Sequence, residues 1–240
     1  MTGDEIPILV GDYGTPVYLR ENDRARRVSL RVDAPGQKVV LVKPKRMSRT
    51  TAIAFATERA EWIAERVSEF APPVPFEPGA RVPFRDIEHV IVHAPEAKRG
   101  VWAEAGRIHV SGQAEFVSRR VRDWFKERAR EAIVPLANSY ALEIEKRVAR
   151  VSIRDQRSRW GSCTSDAVLS FSWRLIMAPD TVMRYVVAHE VAHLRELNHS
   201  KRFWHIVDKL VTTREESTAW LSSHGMTLHC YGQDRVIRTR

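Results

Sequence analysis

The stretch His189-Glu190-Val191-Ala192-His193 places two histidines four residues apart. On an α-helix that spacing puts both imidazoles on one face, one turn above the other, within reach of a single metal ion. The flanking sequence predicts such a helix. Ala178-Pro179-Asp180 opens it, and Val182, Tyr185, Val186 and Leu194 form an apolar stripe. Ala188 and Ala192 are small and leave room beside the ligands. Neutral imidazoles hold Zn²⁺ without cancelling its charge, so the ion stays a strong Lewis acid. The carboxylate of Glu190 is suited to take a proton from water held at the metal. One zinc ion per chain is therefore expected, with Glu190 as general base. The plainer alternative, two structural histidines on an amphipathic helix, does not account for a glutamate set between them.

A catalytic zinc keeps three protein ligands and one open position. Two residues compete for the third place. Glu196, seven residues beyond His189, shares its face if the helix continues. His199, ten residues beyond, can bend back only if the helix ends first, and Asn198 tolerates the left-handed conformation that ends helices. The spacing of His189, His193 and His199 equals that of the pattern H-E-x-x-H-x-x-G-x-x-H, with Glu196 in place of the glycine. His199 is thus the favoured third ligand, and Glu196 the alternative ligand or a supporting carboxylate.

Working outward toward the C-terminus, shorter helices are expected near Arg202 to Val211 and Glu215 to Ser222, with a stop at Gly225. Phe203 and Trp204 read as packing behind the metal. Upstream, Val151-Ser152-Ile153 and Val168 to Phe171 read as strands joined by a polar loop, Asp155 to Ser165. Before them a long helix runs from about Ala114 to Val148. Pro135 should kink or split it, and Arg119, Arg120, Arg122, Arg128 and Arg130 should form its solvated face. The N-terminal part is β-rich. Candidate strands are Val28 to Val32, Val39 to Val42, Val90 to Val92, Val101 to Ala103 and Ile108 to Val110, with turns at Pro35-Gly36 and Gly106. One helix interrupts them, from an N-cap at Ser48 to about Phe70, followed by the connector Ala71 to Pro75. The division expected is a β-rich region with one helix over 1–112 and a catalytic region over 113–240.

Taken together, His189 to Leu194, Asn198-His199-Ser200, Phe203-Trp204, Arg157-Ser158-Arg159-Trp160-Gly161-Ser162-Cys163 and Trp173 to Pro179 resemble the YgjP-like metallopeptidase family, a relative of the SprT-like and WLM zinc proteases. These blocks lie between positions 150 and 211. The resemblance implies an α+β fold, with a β-rich N-terminal part followed by a zincin-like metallopeptidase domain whose active-site helix lies near the C-terminus. It implies a zinc-dependent peptidase. The same chemistry can attack a phosphoryl centre, so a nucleoside triphosphate pyrophosphatase is the alternative, and a DNA-associated zinc protease or binding module the third reading. Arg157, Arg159, Arg174 and His205 are candidate contacts to substrate or transition state. A strand edge beside the metal helix would favour a peptide, and a closed basic pocket around Arg157, Arg159 and Arg174 a nucleotide.

Composition narrows the field further. The chain has 240 residues, 43% of them hydrophobic, enough for a packed core. Its net charge of +9 attracts anions, so a peptide, a nucleotide or nucleic acid is an admissible partner. The two cysteines, Cys163 and Cys230, are too far apart for a Cys-x-x-Cys metal site, and Cys163 is at most a fourth ligand in a latent state. No apolar run is long enough to span a bilayer, and the acidic opening Met1 to Pro7 does not read as a signal peptide. A cytoplasmic protein without membrane contact is expected. His89 and His93, in a strand, lie too far apart to share an ion.

Overall fold

The computed structural model describes residues 6–10, 15–33, 38–68, 72–156 and 159–233. The chain divides into two compact units, Met1–Pro72 and Pro73–Arg240. In the first, β1 (Ile6–Val10), β2 (Thr15–Asn22), β3 (Ser29–Asp33) and β4 (Lys38–Pro44) make one sheet in the order β1-β2-β4-β3. The apolar run Val39 to Val42 is buried on both faces and pairs in parallel with β2, as continuous hydrophobic strands do. The expected turn at Pro35-Gly36 and the expected helix end at Phe70 lie outside the described residues.

The helix expected from Ser48 is two helices, α1 (Arg49–Thr57) and α2 (Ala60–Ser68). Ser48 caps the first through the Thr51 N–H at 3.0 Å. The break has a local cause. The Arg59 N–H donates to Ala56 O, three residues back, and the Arg59 guanidinium folds over the Phe55 ring, 3.8 Å from its centroid. Ala52, Ala56 and Ile63 still pack on Val17, Leu19, Val39 and Leu41.

In the second unit, β5 (Arg81–Phe84), β6 (Ile87–His93), β7 (Val101–Glu104) and β8 (Arg107–Val110) form a sheet ordered β5-β6-β8-β7. The expected boundary at 112/113 falls inside this unit. The reason is packing: Val82, Ile91, Ile108 and Val110 share one core with helix α3 (Val117–Glu143) and with everything that follows. A second sheet, of β9 (Arg150–Arg154), β10 (Gly161–Cys163) and β11 (Val168–Ser172), has the order β10-β11-β9. Strand β10 lies within the stretch read from sequence as a polar loop.

Helix α3 places Val117, Val121, Phe125, Ala129, Ile133, Ala137 and Ala141 every fourth residue on its buried stripe. Pro135 does not split it; Ile133 and Ala137, both fully buried, hold the turn on either side. The helix ends earlier than expected, where Glu145 takes φ +57° and the Lys146 N–H donates to Ala141 O at 2.8 Å. Arg119 and Arg130 are solvated, but Arg120 and Arg122 turn inward to Ser111 O and Gly232 O at 2.8 and 2.7 Å. Among the described residues no helix is long and apolar enough to cross a membrane.

Phe125 is the hub of the aromatic part of this core. Its ring centroid lies 5.1–6.3 Å from those of Phe76, Phe84, Trp124 and Trp173. Phe125→Ala is therefore expected to lower the unfolding free energy by about 3–5 kcal/mol, measured by chemical denaturation.

Candidate metal centre

Helix α4 (Asp180–Ala192) begins after Pro179, with Asp180 in its first turn where the helix dipole favours an anion. Val182, Val186, Val187 and Val191 bury its core side. It stops at His193. The N–H groups of Leu194, Arg195 and Glu196 fold back onto Val191 O and Ala192 O at 2.9–3.0 Å. This is a correction to the expected stop at Asn198. The non-glycine residues with positive φ among those described are Arg85, Asp86, Ala105, Glu145 and Ala167, and Asn198 is not one of them. Tight right-handed turns end the helix without a left-handed residue. The chain then reverses, and Ser200 caps helix α5 (Lys201–Leu210) through the Phe203 N–H at 3.3 Å.

This reversal returns His199 to His189. Their Nε2 atoms are 3.0 Å apart. One ligand nitrogen from each of His189, His193 and His199 lies within 4.8 Å of the other two. Glu196 enters differently from the carboxylate considered above. The continued helix that would have put its side chain on the face of His189 is absent, and its backbone carbonyl accepts the Nδ1–H of His193 at 3.0 Å. That bond fixes the tautomer and leaves Nε2 of His193 with a lone pair.

The rings are clamped by aromatic packing. Phe203, fully buried, lies 4.5–4.9 Å from all three imidazole centroids. Trp204 stacks on His199 at 5.6 Å and 25°. Burial pulls the His189 pKa down to about 4, with His193 and His199 adding like-charge repulsion, and burial also lowers that of His193. These two imidazoles are thus neutral at neutral pH, the form that can bind a metal. Nδ1 of His189 is buried without a hydrogen-bond partner among the described residues, so the ring's polar contact is made at Nε2, toward His199. The donor set fits a zinc ion.

Glu190, on the adjoining face of α4, is 8% exposed. Burial raises its carboxyl to about pKa 7, opposed in part by the charge of Arg159. Its side chain lies against strand β10. A Cβ at Gly161 would stand 2.5 Å from Glu190 Cγ and 2.8 Å from Oε1, so no other residue fits there without displacing the glutamate. The sequence reading did not single out Gly161. The signal was present in Trp160-Gly161-Ser162, but glycine in a polar stretch reads first as a turn.

The remaining candidates separate. Exposed Arg159 acts on Glu190. Arg157 lies outside the described residues. Arg174 is buried, ion-paired to Asp155 and laid over the Trp173 ring at 4.3 Å. His205 is exposed and lines a cavity with Glu196 rather than joining the three histidines. Cys163 is held at about pKa 11 by burial and by Glu190, hence a neutral thiol, and it is not part of the ligand group among the described residues.

The family model described as YgjP-like, metallopeptidase domain, matches residues 26–224. No curated protein matches the chain. A solved structure of the metallopeptidase zymogen of Pyrococcus abyssi abylysin is similar at 20% identity, over 42% of this chain and 92% of that one, with a TM-score of 0.31.

Two substitutions probe this geometry. Gly161→Ala should leave zinc stoichiometry unchanged while lowering kcat by about 100-fold, the scale of a 1 Å misplacement of a reacting group. His199→Ala should weaken zinc binding by more than the roughly 10–100-fold typical of losing a supporting group. Glu196→Ala keeps the backbone carbonyl and should change affinity little; chelator competition measures both.

Proposed function

Because the chain belongs to the YgjP-like metallopeptidase family, and so to a class of metal-dependent peptidases, we propose that it hydrolyses peptide bonds with zinc held by His189, His193 and His199 and with Glu190 as general base. The observation that carries this reading is the convergence of three imidazole nitrogens within 4.8 Å beside a buried carboxyl on the same helix. Bound zinc would supply the Lewis acid that makes water nucleophilic near neutral pH and polarises a carbonyl. Glu190 takes the proton of the attacking water on a carboxylate oxygen and passes it to the departing amide nitrogen. A carboxyl near pKa 7 can do both, because neither protonation state is strongly preferred at neutral pH. Arg159, whose charge reaches Glu190, is the candidate donor to the developing oxyanion.

Two features favour a peptide over a nucleotide. Strand β10 is at the edge of its sheet, paired only with β11 among the described residues, and packs against α4. An extended peptide can add to such an edge by main-chain hydrogen bonds. The basic pocket that a nucleotide would need lacks Arg174, which is committed to Asp155.

Glu190→Gln should bind zinc as the native chain does and lose turnover by about 100- to 10,000-fold, the range of general acid–base catalysis. The assay is a zinc-loaded screen of unfolded protein and nucleoside triphosphates. Unchanged cleavage by the variant would remove Glu190 as the base, and hydrolysis of triphosphates alone would replace the peptidase reading.

A further inference from the structure

The turn between α4 and α5 does more than return His199. With the end of α3 it walls a cavity of about 480 Å³. Ile144 and Ile206 give it apolar surface, and Arg195, Lys201, Arg202 and Lys209 surround them. Glu196 is the one carboxylate in the lining, against those four basic side chains. Lys201, Arg202 and Lys209 have no ion-pair partner among the described residues. Lys201, His205 and Lys209 recur at i, i+4 and i+8, opposite the buried Phe203, Val207 and Leu210.

A basic helix face is ordinarily just a solvated one. This face is concave, and low-dielectric walls focus the field of unpaired cations into the cavity. Two exposed leucines stand close to lining residues in the sequence: Leu197, next to Glu196, is 74% exposed, and Leu142, two residues before Ile144, is 70% exposed. The cavity also adjoins the metal centre through one residue, since Glu196 lines it and holds His193 by its carbonyl.

We propose that this cavity binds the acidic side chains of an extended peptide, in the segment of substrate that flanks the bond to be cut. The proposal rests on the peptidase reading above and specifies the substrate. Nucleic acid fits less well. Single strands are held by cations together with aromatic rings on which bases stack, and the lining offers no aromatic ring except His205. An extended peptide that alternates acidic and apolar side chains turns all its acidic ones to one face, where Lys201, Arg202 and Lys209 can meet them and Ile144 and Ile206 take their methylene stems.

The test is binding, not cleavage, so it is decided whether or not Glu190 proves to be the base. The zinc-loaded Glu190→Gln protein is titrated into a fluorescein-labelled decapeptide of alternating Glu and Leu, followed by anisotropy. The same peptide with Gln for Glu is the control, and an unlabelled single-stranded oligonucleotide of equal charge is the competitor. The acidic peptide should bind about 10-fold or more tightly than the Gln peptide, a difference of about 1.4 kcal/mol, and should weaken as salt rises. Arg202→Glu together with Lys209→Glu should abolish the preference while zinc content and thermal midpoint stay unchanged. Equal affinity for the two peptides, or a preference that survives the double substitution, overturns the proposal. Displacement by the oligonucleotide at lower concentration than by unlabelled acidic peptide overturns it in favour of nucleic acid.

Discussion

Three imidazole nitrogens can meet here only because α4 stops at His193. Two of them are supplied by any helix with histidines four residues apart. The third lies six residues further on, and a continued helix would carry it away from the first two. The carbonyls of Val191 and Ala192 accept the N–H groups of Leu194, Arg195 and Glu196 instead, which turns the chain at once. The next carbonyl is put to use as well: Glu196 O receives the Nδ1–H of His193. Chain reversal, the His193 tautomer and the convergence of the three imidazoles thus follow from a few backbone hydrogen bonds within one turn of the helix end. Ser200 then restarts helical structure, so that Phe203 returns beneath all three rings.

How much of this could be read from sequence depends on whether the relevant interaction was local. The helical placement of His189 and Glu190, the packing of Phe203 and Trp204 and the strands β9 and β11 follow from spacing, and spacing is local. The helix end was anticipated for a chemical reason, the tolerance of Asn198 for left-handed backbone, that the structure does not use. Glu145, not asparagine or glycine, takes such a conformation at the end of α3. The unbroken passage of Pro135 depends on buried neighbours, which a residue-by-residue propensity does not contain. The burial of Arg174 is harder still to foresee. An arginine in a candidate active-site block reads as a substrate contact, and only tertiary structure brings Asp155 to it.

Gly161 illustrates the same limit more sharply. Its role is defined by an atom it does not have. The glutamate lies where a Cβ would be, on a strand separated from Glu190 by almost thirty positions in the chain. Strand β10 therefore combines two requirements at one place. Its backbone must pass close enough to α4 to confine the Glu190 side chain, and its outer edge must remain open if a peptide is to pair with it. A glycine with no side chain on the helix side meets the first requirement without altering the second.

The electrostatics of the centre follow from the same confinement. Phe203 and Trp204 pack on the histidine rings, while strand β10 lies against the buried Glu190. Excluding water disfavours every charged form, but it acts in opposite directions on a base and an acid. It pulls His189 down to about pKa 4 and pushes Glu190 up to about 7. The imidazole is left neutral with its lone pair available, while the carboxyl is poised where it can take and return a proton. Arg159 moderates this from the solvent side, since an opposite charge favours the carboxylate. Burial of neighbouring side chains on α4 thereby favours the uncharged form of each, which suits the proposed ligand and raises the affinity of the proposed base for a proton. Replacing the aromatic clamp by polar side chains would move the His189 value back toward its ordinary one. Protons would then compete with a metal for that imidazole even if all three rings stayed in place.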